Sequence, residues 1–188
     1  GEADKGAIRA LTKIFEANTC LTYKEDNGPG FKLEFEHLDQ GTQPPCNAEV
    51  GRIKNRNSKV SVTPGCIYGI GFPHEMIHSL GFQHTECRHD RDNYVIVAAD
   101  AAKNDVNYQK VSTSETYGIP YDFTSIMHSS PSAKMKVIDP DNLSSMIGFN
   151  MSWNDWKAIN MHYKCNETCA PETKCHNGGY QDPHDCTK

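Results

Sequence analysis

The first residues of the chain carry apolar side chains at helical spacing. Within residues 1–19, Ile8, Leu11 and Phe15 recur at intervals of three and four, with alanines around them. This spacing is typical of an amphipathic helix that buries one face, and alanine favours the helical state. The pattern therefore predicts that the chain opens with a helix.

A second helix is well marked towards the end of the chain. Ser152 is followed three residues later by Asp155, and this pair is typical of a capping box at a helix N-terminus. After it, Trp156, Ile159 and Tyr163 are spaced to line one helical face. We predict a helix here with that face buried.

Between these helices the apolar pattern changes to that of strands. Leu21–Tyr23 is a short strand-like run, residues 31–36 alternate apolar with charged side chains, and residues 59–63 form another run that ends at a Pro-Gly pair. From about Tyr68 to Leu80 the pattern becomes helical again, and Gly81 is placed to end that helix.

Length and charge exclude several classes of protein. The chain has 188 residues, 37% of them apolar and 23% charged, with a net charge of −5. No apolar run approaches the roughly 18 residues of a membrane-spanning helix, so we expect no membrane span. No basic block is present to neutralise a phosphate backbone, so we expect no nucleic-acid partner.

Cysteine and histidine are unusually frequent. The chain has eight cysteines and nine histidines, and an even number of cysteines is what a disulfide framework requires. Composition alone leaves two interpretations open, a secreted disulfide-bonded domain or a metal-binding one.

One segment carries most of the chemical information. His74 and His78 are four residues apart, so a helix places both imidazoles on one face, and Glu75 lies beside them. Gly81 then turns the chain so that His84 approaches from another direction. Three neutral ligands with a fourth position open to water form the layout of a catalytic zinc site. The alternative is an amphipathic helix whose histidines are merely hydrogen-bonded.

The extended motif His-Glu-x-x-His-x-x-Gly-x-x-His resembles the metzincin metalloproteases and, within them, the astacin family of peptidases. Further segments are similar to that family along most of the chain. They are Arg88–Val95 after the third histidine, Tyr121–His128 as the Met-turn with Met127, and residues 155–165 as the closing helix with its final cysteine.

The resemblance implies a fold and an activity. The expected fold is α+β, a two-lobed catalytic domain over residues 1–165 with a twisted mixed sheet, an active-site helix and a C-terminal helix. The expected activity is that of a secreted zinc metalloendopeptidase, with one Zn²⁺ per chain and Glu75 as general base. Protein or peptide substrates are expected to bind extended along a cleft rim near Val60–Thr63.

The resemblance also implies two disulfides, Cys20 with Cys165 and Cys46 with Cys66, which fit an oxidising compartment. Residues 166–188 resemble the start of an EGF-like module of the kind that follows the domain in nematode astacins. The pairing of the other cysteines stays open; they are Cys87, Cys169, Cys175 and Cys186. Three triplets of the N-glycosylation type fit a secreted glycoprotein, at Asn142, Asn150 and Asn166.

Some positions depart from the family pattern. By this resemblance, we expect the chain to lack the strand that normally opens the family's mature domain. Thr85 stands where the family usually has Glu, and Ser129 stands where it has a Tyr that stabilises the oxyanion. Losing one oxyanion donor costs about 10²–10³ in rate. The alternative function is therefore a zinc-binding, astacin-like protein with weak or no catalysis that acts by binding.

Overall fold

The computed structural model describes residues 2–146, 150–169 and 175–188. Among them are α1 (Glu2–Asn18), α2 (Pro64–Ile67), α3 (Gly71–Ser79), α4 (Ala99–Asn104) and α5 (Trp153–His162). The strands are β1 (Leu33–His37), β2 (Cys46–Ala48), β3 (Ser58–Val62), β4 (Val95–Val97) and β5 (Met135–Val137). In these described stretches no helix is both long and apolar enough to cross a membrane.

The chain divides into two compact units. One contains the residues up to Gly81 together with Trp156–Lys188, and the other is Phe82–Asp155. Strands and helices are grouped rather than strictly alternating, and one sheet is mixed, so the predicted α+β class is confirmed.

The first unit is built on the three-stranded sheet. Its strand order is β1-β3-β2, with β1 parallel to β3 and β2 antiparallel to it. Val60 is fully buried and Val62 is nearly so, as expected of the central strand.

The position of β3 corrects the predicted substrate rim. Val60 pairs with Phe35 on one side and with Ala48 on the other, and the amide of Thr63 donates to the Pro45 carbonyl. Because both edges of this strand are already paired, an extended peptide cannot add along Val60–Thr63, and that prediction is wrong.

The helices of the first unit follow the sequence pattern closely. In α1, Phe15 is fully buried, and its ring meets that of Trp156 in α5 edge to face. Ile159 of α5 is also fully buried. The predicted helix from Tyr68 begins later, at Gly71, because the short α2 precedes it and ends before Tyr68. Tyr163 is more exposed than the predicted apolar face required.

The strand predicted at Leu21–Tyr23 is absent; this segment is irregular. Its amides are satisfied by side chains instead of a neighbouring strand. The Leu21 amide donates to the Thr19 hydroxyl at 3.2 Å, and the Tyr23 amide to a Glu16 carboxylate oxygen at 2.8 Å.

The second unit contains the antiparallel pair of β4 and β5 beside α4. Its core is aromatic: the rings of Tyr94 and Tyr121 stack with centroids 4.4 Å apart, and Phe123 packs against both. Four of the short 3₁₀ segments lie in this unit, at Thr85–Cys87, Arg91–Asn93, Val106–Tyr108 and Pro140–Ser145. This fits the many polar and turn residues of its sequence.

Three disulfides are present in the first unit. Two are those implied by the resemblance, Cys20–Cys165 and Cys46–Cys66, and the third is Cys169–Cys186. Cys87 is a buried thiol whose Sγ donates to the Asn107 carbonyl.

The C-terminal segment contacts the end of α1 through His184, whose Nε2 lies 2.7 Å from the Glu16 carbonyl oxygen and 2.9 Å from that of Thr19. The proposed module boundary at residue 166 stays a prediction.

Candidate metal centre

The predicted histidine ligands come together within the single segment 74–84. One ring nitrogen each of His74, His78 and His84 lies within 4.8 Å of the other two. His74 and His78 are one turn apart on α3, with ring centroids 4.7 Å apart. Three imidazole nitrogens converging in this way match the donor set that zinc takes in catalytic sites, so the residues fit a zinc ion.

The turn after α3 is what directs the third histidine. Gly81 has φ 102°, a backbone conformation that L side chains rarely adopt, and its amide donates to the His78 carbonyl at 2.8 Å. The Gly51 amide donates to the same carbonyl at 2.9 Å. The end of α3 is thus fixed both from within and from the loop after β2.

Glu75 lies on α3 directly after the first ligand. It is only 8% exposed, and burial raises the pKa of its carboxyl to about 7. A carboxyl with a pKa near neutrality is suited to exchanging protons at physiological pH. Its role as a general base remains a prediction.

The Met-turn is held by a buried carboxylate. Asp155 accepts from the Ser125 hydroxyl at 2.5 Å and from the Ile126 amide at 3.0 Å, directly before Met127. The Met127 carbonyl in turn accepts from the Thr85 amide at 2.9 Å, next to the third histidine. The sequence identified Asp155 only as a helix cap, because nothing in its spacing shows a contact 30 residues away.

Ser129, one of the positions that depart from the family pattern, contacts a buried glutamate next to the other, Thr85. The Ser129 amide donates to Glu86 Oε2 at 3.2 Å, and the Glu86 side chain is fully buried. The other carboxylate oxygen of Glu86 has no hydrogen-bond partner among the described residues. Close by in sequence, the Tyr121 hydroxyl and His128 Nε2 are 3.0 Å apart. A buried glutamate that accepts from the residue after the Met-turn was not foreseen, since a charged residue is seldom fully buried.

The candidate glycosylation residues lie apart from one another in sequence and differ in exposure. Asn150 is exposed, while Asn142 and Asn166 are half-buried. Their use remains a prediction.

Comparison with known proteins agrees with this geometry. Residues 1–164 match the family described as Astacin, a family of peptidases. The chain is 32% identical to zinc metalloproteinase nas-23 and 34% identical to zinc metalloproteinase nas-34, both of Caenorhabditis elegans. These matches cover 97% and 96% of this chain but only 36% and 32% of the relatives, so the chain spans about a third of their length.

A solved structure gives the same result for the fold. High choriolytic enzyme 1, a hatching enzyme zinc-protease from the medaka fish Oryzias latipes, superposes with a TM-score of 0.69 at 26% identity. The superposition covers 87% of this chain and 84% of that one.

Proposed function

Because the chain belongs to the astacin family of peptidases, we propose that it is a zinc-dependent endopeptidase that hydrolyses internal peptide bonds of proteins. The observation that carries the proposal is the convergence of His74, His78 and His84 with the buried Glu75 beside them. One zinc ion per chain is expected from the one histidine triad found among the described residues.

The chemistry divides between the ion and the protein. Zinc held by three neutral imidazoles supplies Lewis acidity and lowers the pKa of a water molecule to about 7. With the ion held by His74, His78 and His84, Glu75 would accept the proton given up by the attacking water and would then deliver it to the leaving amine. Burial raises the pKa of the Glu75 carboxyl, which favours proton uptake by this group.

We place the substrate along β2 instead of β3. In β2, Asn47 is opposite Ser61 of β3, and the backbone groups of Pro45 and Glu49 on either side also bond to β3. Because alternate residues of an antiparallel strand bond to the same neighbour, the backbone N–H and C=O groups of Cys46 and Ala48 point away from β3. No further strand of the described chain pairs with that outer edge. An extended peptide can add there by main-chain hydrogen bonds.

The edge of β2 lies close to α3, the helix that carries His74 and His78. A Cβ added at Gly71, the first residue of α3, would be 2.7 Å from the Cys46 sulfur, so strand and helix pack without room between them. A peptide bound at this edge is therefore near the helix that carries the proposed catalytic residues.

The test is peptide hydrolysis by the purified protein before and after chelation of zinc, and by Glu75→Gln. Removing a general base costs about 10²–10⁴ in kcat, and we expect a loss of this size with zinc content unchanged. Glu115→Gln, at an exposed glutamate, is the matched control and leaves kcat as it is. Zinc bound at one ion per chain without chelator-sensitive cleavage would exclude the enzyme.

That outcome would favour the second candidate, a zinc-binding protein with weak or no catalysis. Ser129 is the observation in its favour, because its side chain is short and its amide is engaged by Glu86. A measurable but slow, chelator-sensitive hydrolysis would retain the endopeptidase assignment.

We also propose that the protein is secreted. The support is its disulfides, Cys20–Cys165, Cys46–Cys66 and Cys169–Cys186, which persist in oxidising compartments. Residues 166–188 as the start of an EGF-like module, and glycosylation of the three asparagines, belong to the same proposal.

A further inference from the structure

The carbonyl of Leu80, the residue that caps the C-terminus of α3, is held by a residue outside the proposed metal site. The end of an α-helix leaves carbonyl groups without intrahelical partners. At the end of α3, the Leu80 carbonyl accepts a hydrogen bond from the Tyr163 hydroxyl at 3.0 Å. Tyr163 is 83 residues away in sequence, directly after α5.

This bond acts on the peptide unit where the chain changes direction. The Leu80 carbonyl belongs to the peptide plane that joins Leu80 to Gly81, and Gly81 has the positive φ that ends the helix. The orientation of that plane sets the direction in which the chain leaves α3, and His84 follows three residues later. A hydroxyl that fixes the plane therefore restricts where the third imidazole can lie.

The hydroxyl itself stands on a rigid support. In α5, Ile159 is fully buried, and the Asn160 side chain donates to the carbonyls of Asn18 at 2.8 Å and Trp156 at 3.0 Å. Two residues after Tyr163, Cys165 is bridged to Cys20. Because the chain is anchored on both sides of Tyr163, its hydroxyl has a fixed position and can restrain the turn at Leu80–Gly81.

We propose that Tyr163 is a positioning residue for the zinc site, acting on His84 through the Leu80–Gly81 peptide. The inference rests on the proposed function in that it concerns the same zinc site. It differs from that function in predicting that a residue outside the proposed ligand set influences how tightly the ligands hold the ion.

The experiment compares wild type with Tyr163→Phe, which removes only the hydroxyl. Tyr163 is 39% exposed, so the change opens no buried cavity. A net hydrogen bond is worth about 0.5–1.5 kcal/mol, so we expect zinc affinity, measured by competition with a chelator, to weaken by about 2- to 13-fold. With the protein zinc-loaded, kcat falls while KM stays within about twofold. Tyr68→Phe, at a tyrosine that is 65% exposed, is the control and changes neither quantity.

A second measurement does not depend on zinc or on catalysis. In metal-free protein, amide hydrogen exchange of Gly81 and Phe82 is faster in Tyr163→Phe than in wild type if the hydroxyl fixes the turn. A lower Tm with unchanged zinc affinity and unchanged exchange at these amides would show a merely structural role and overturn the proposal. If wild type holds zinc but cleaves no peptide, the endopeptidase proposal fails, while the affinity and exchange comparisons still decide on Tyr163.

Discussion

Ser129 is the residue at which the proposed site is chemically incomplete. It follows the Met-turn at the position where the family resemblance implies a tyrosine, and its side chain is too short to donate to a developing oxyanion. Its amide donates to the buried Glu86, so the backbone is held there while the side chain offers little. We infer that turnover, rather than zinc binding, is what this position limits.

Ser129→Tyr tests this inference. One oxyanion donor is worth about 10²–10³ in kcat, and a grafted phenol that recovers part of this should raise kcat by about tenfold. Ser129→Phe, which adds the ring without the hydroxyl, is the matched control and is expected to give no gain. Steady-state hydrolysis of one peptide by all three proteins makes the comparison; equal kcat for the Tyr and Phe variants would refute it.

Single residues were predictable where spacing alone fixes geometry. The four-residue interval of His74 and His78 and the glycine before His84 were enough to identify the triad. The contact of Glu86 was not predictable, because the Ser129 amide that donates to its carboxylate is 43 residues away in sequence. The same holds for the contact of Tyr163 with Leu80.

At the scale of elements, the N-terminus of α5 has two tasks. Asp155 and Ser152 form a reciprocal capping box, with the Ser152 amide donating to Asp155 at 2.8 Å and the Asp155 amide to the Ser152 hydroxyl at 3.0 Å. The same carboxylate holds Ser125 and Ile126 before the Met-turn. Burial raises the pKa of Asp155, although these donors act against that shift.

The two tasks can be compared by mutation. Ser152→Ala removes the cap together with the hydrogen bond that the Ser152 hydroxyl donates to Asp122, and it should lower the free energy of unfolding by about 1 kcal/mol. Asp155→Asn leaves one acceptor oxygen for the Ser125, Ile126 and Ser152 donors in place of two and removes the charge that strengthens these bonds, and we expect a loss of about 2–4 kcal/mol. Urea unfolding gives both values. Asp155→Asn should also weaken zinc retention more than Ser152→Ala does. Equal losses of zinc in the two variants would contradict the inference that Asp155 fixes the Met-turn.

Among the elements, the helices and the strands with a local signal, at residues 31–36 and 59–63, were predicted, whereas β2 and the order of the strands were not. The helix at Trp153–His162 has both a capping box and a buried face in its sequence. The three residues of β2 have neither alternation nor length, so the sequence could not show that β2, and not β3, is the edge strand. Strand order depends on pairing with segments that are distant in sequence, and a run such as Lys59–Thr63 does not indicate which segments those are.

At the scale of the whole molecule, two of the disulfides close loops of very different length. Cys20 and Cys165 are 145 residues apart, whereas Cys46 and Cys66 are 20 apart. In the chain-entropy account, a bridge stabilises by restricting the unfolded chain, and the effect grows with loop length. Both pairs were implied by resemblance, because eight cysteines alone allow too many pairings.

Removing each bridge separately gives an ordered prediction. Replacing Cys20 and Cys165 by Ala should cost about 5 kcal/mol, and replacing Cys46 and Cys66 about 3 kcal/mol, by the loop-length relation. Denaturant unfolding of the two double variants under oxidising conditions measures this. A larger loss for the Cys46–Cys66 pair would mean that native packing, and not chain entropy, dominates.

The bridge between Cys20 and Cys165 also determines how the product of a single backbone cleavage behaves. Every proposed zinc ligand and the Met-turn lie in the stretch of chain that it encloses. If one copy of a peptidase cuts another once within that stretch, the two fragments stay joined through sulfur and the product differs from the intact chain by one added water. Such nicked molecules migrate as a single species until a reductant separates them, so self-digestion would leave the apparent mass of a stored sample unchanged.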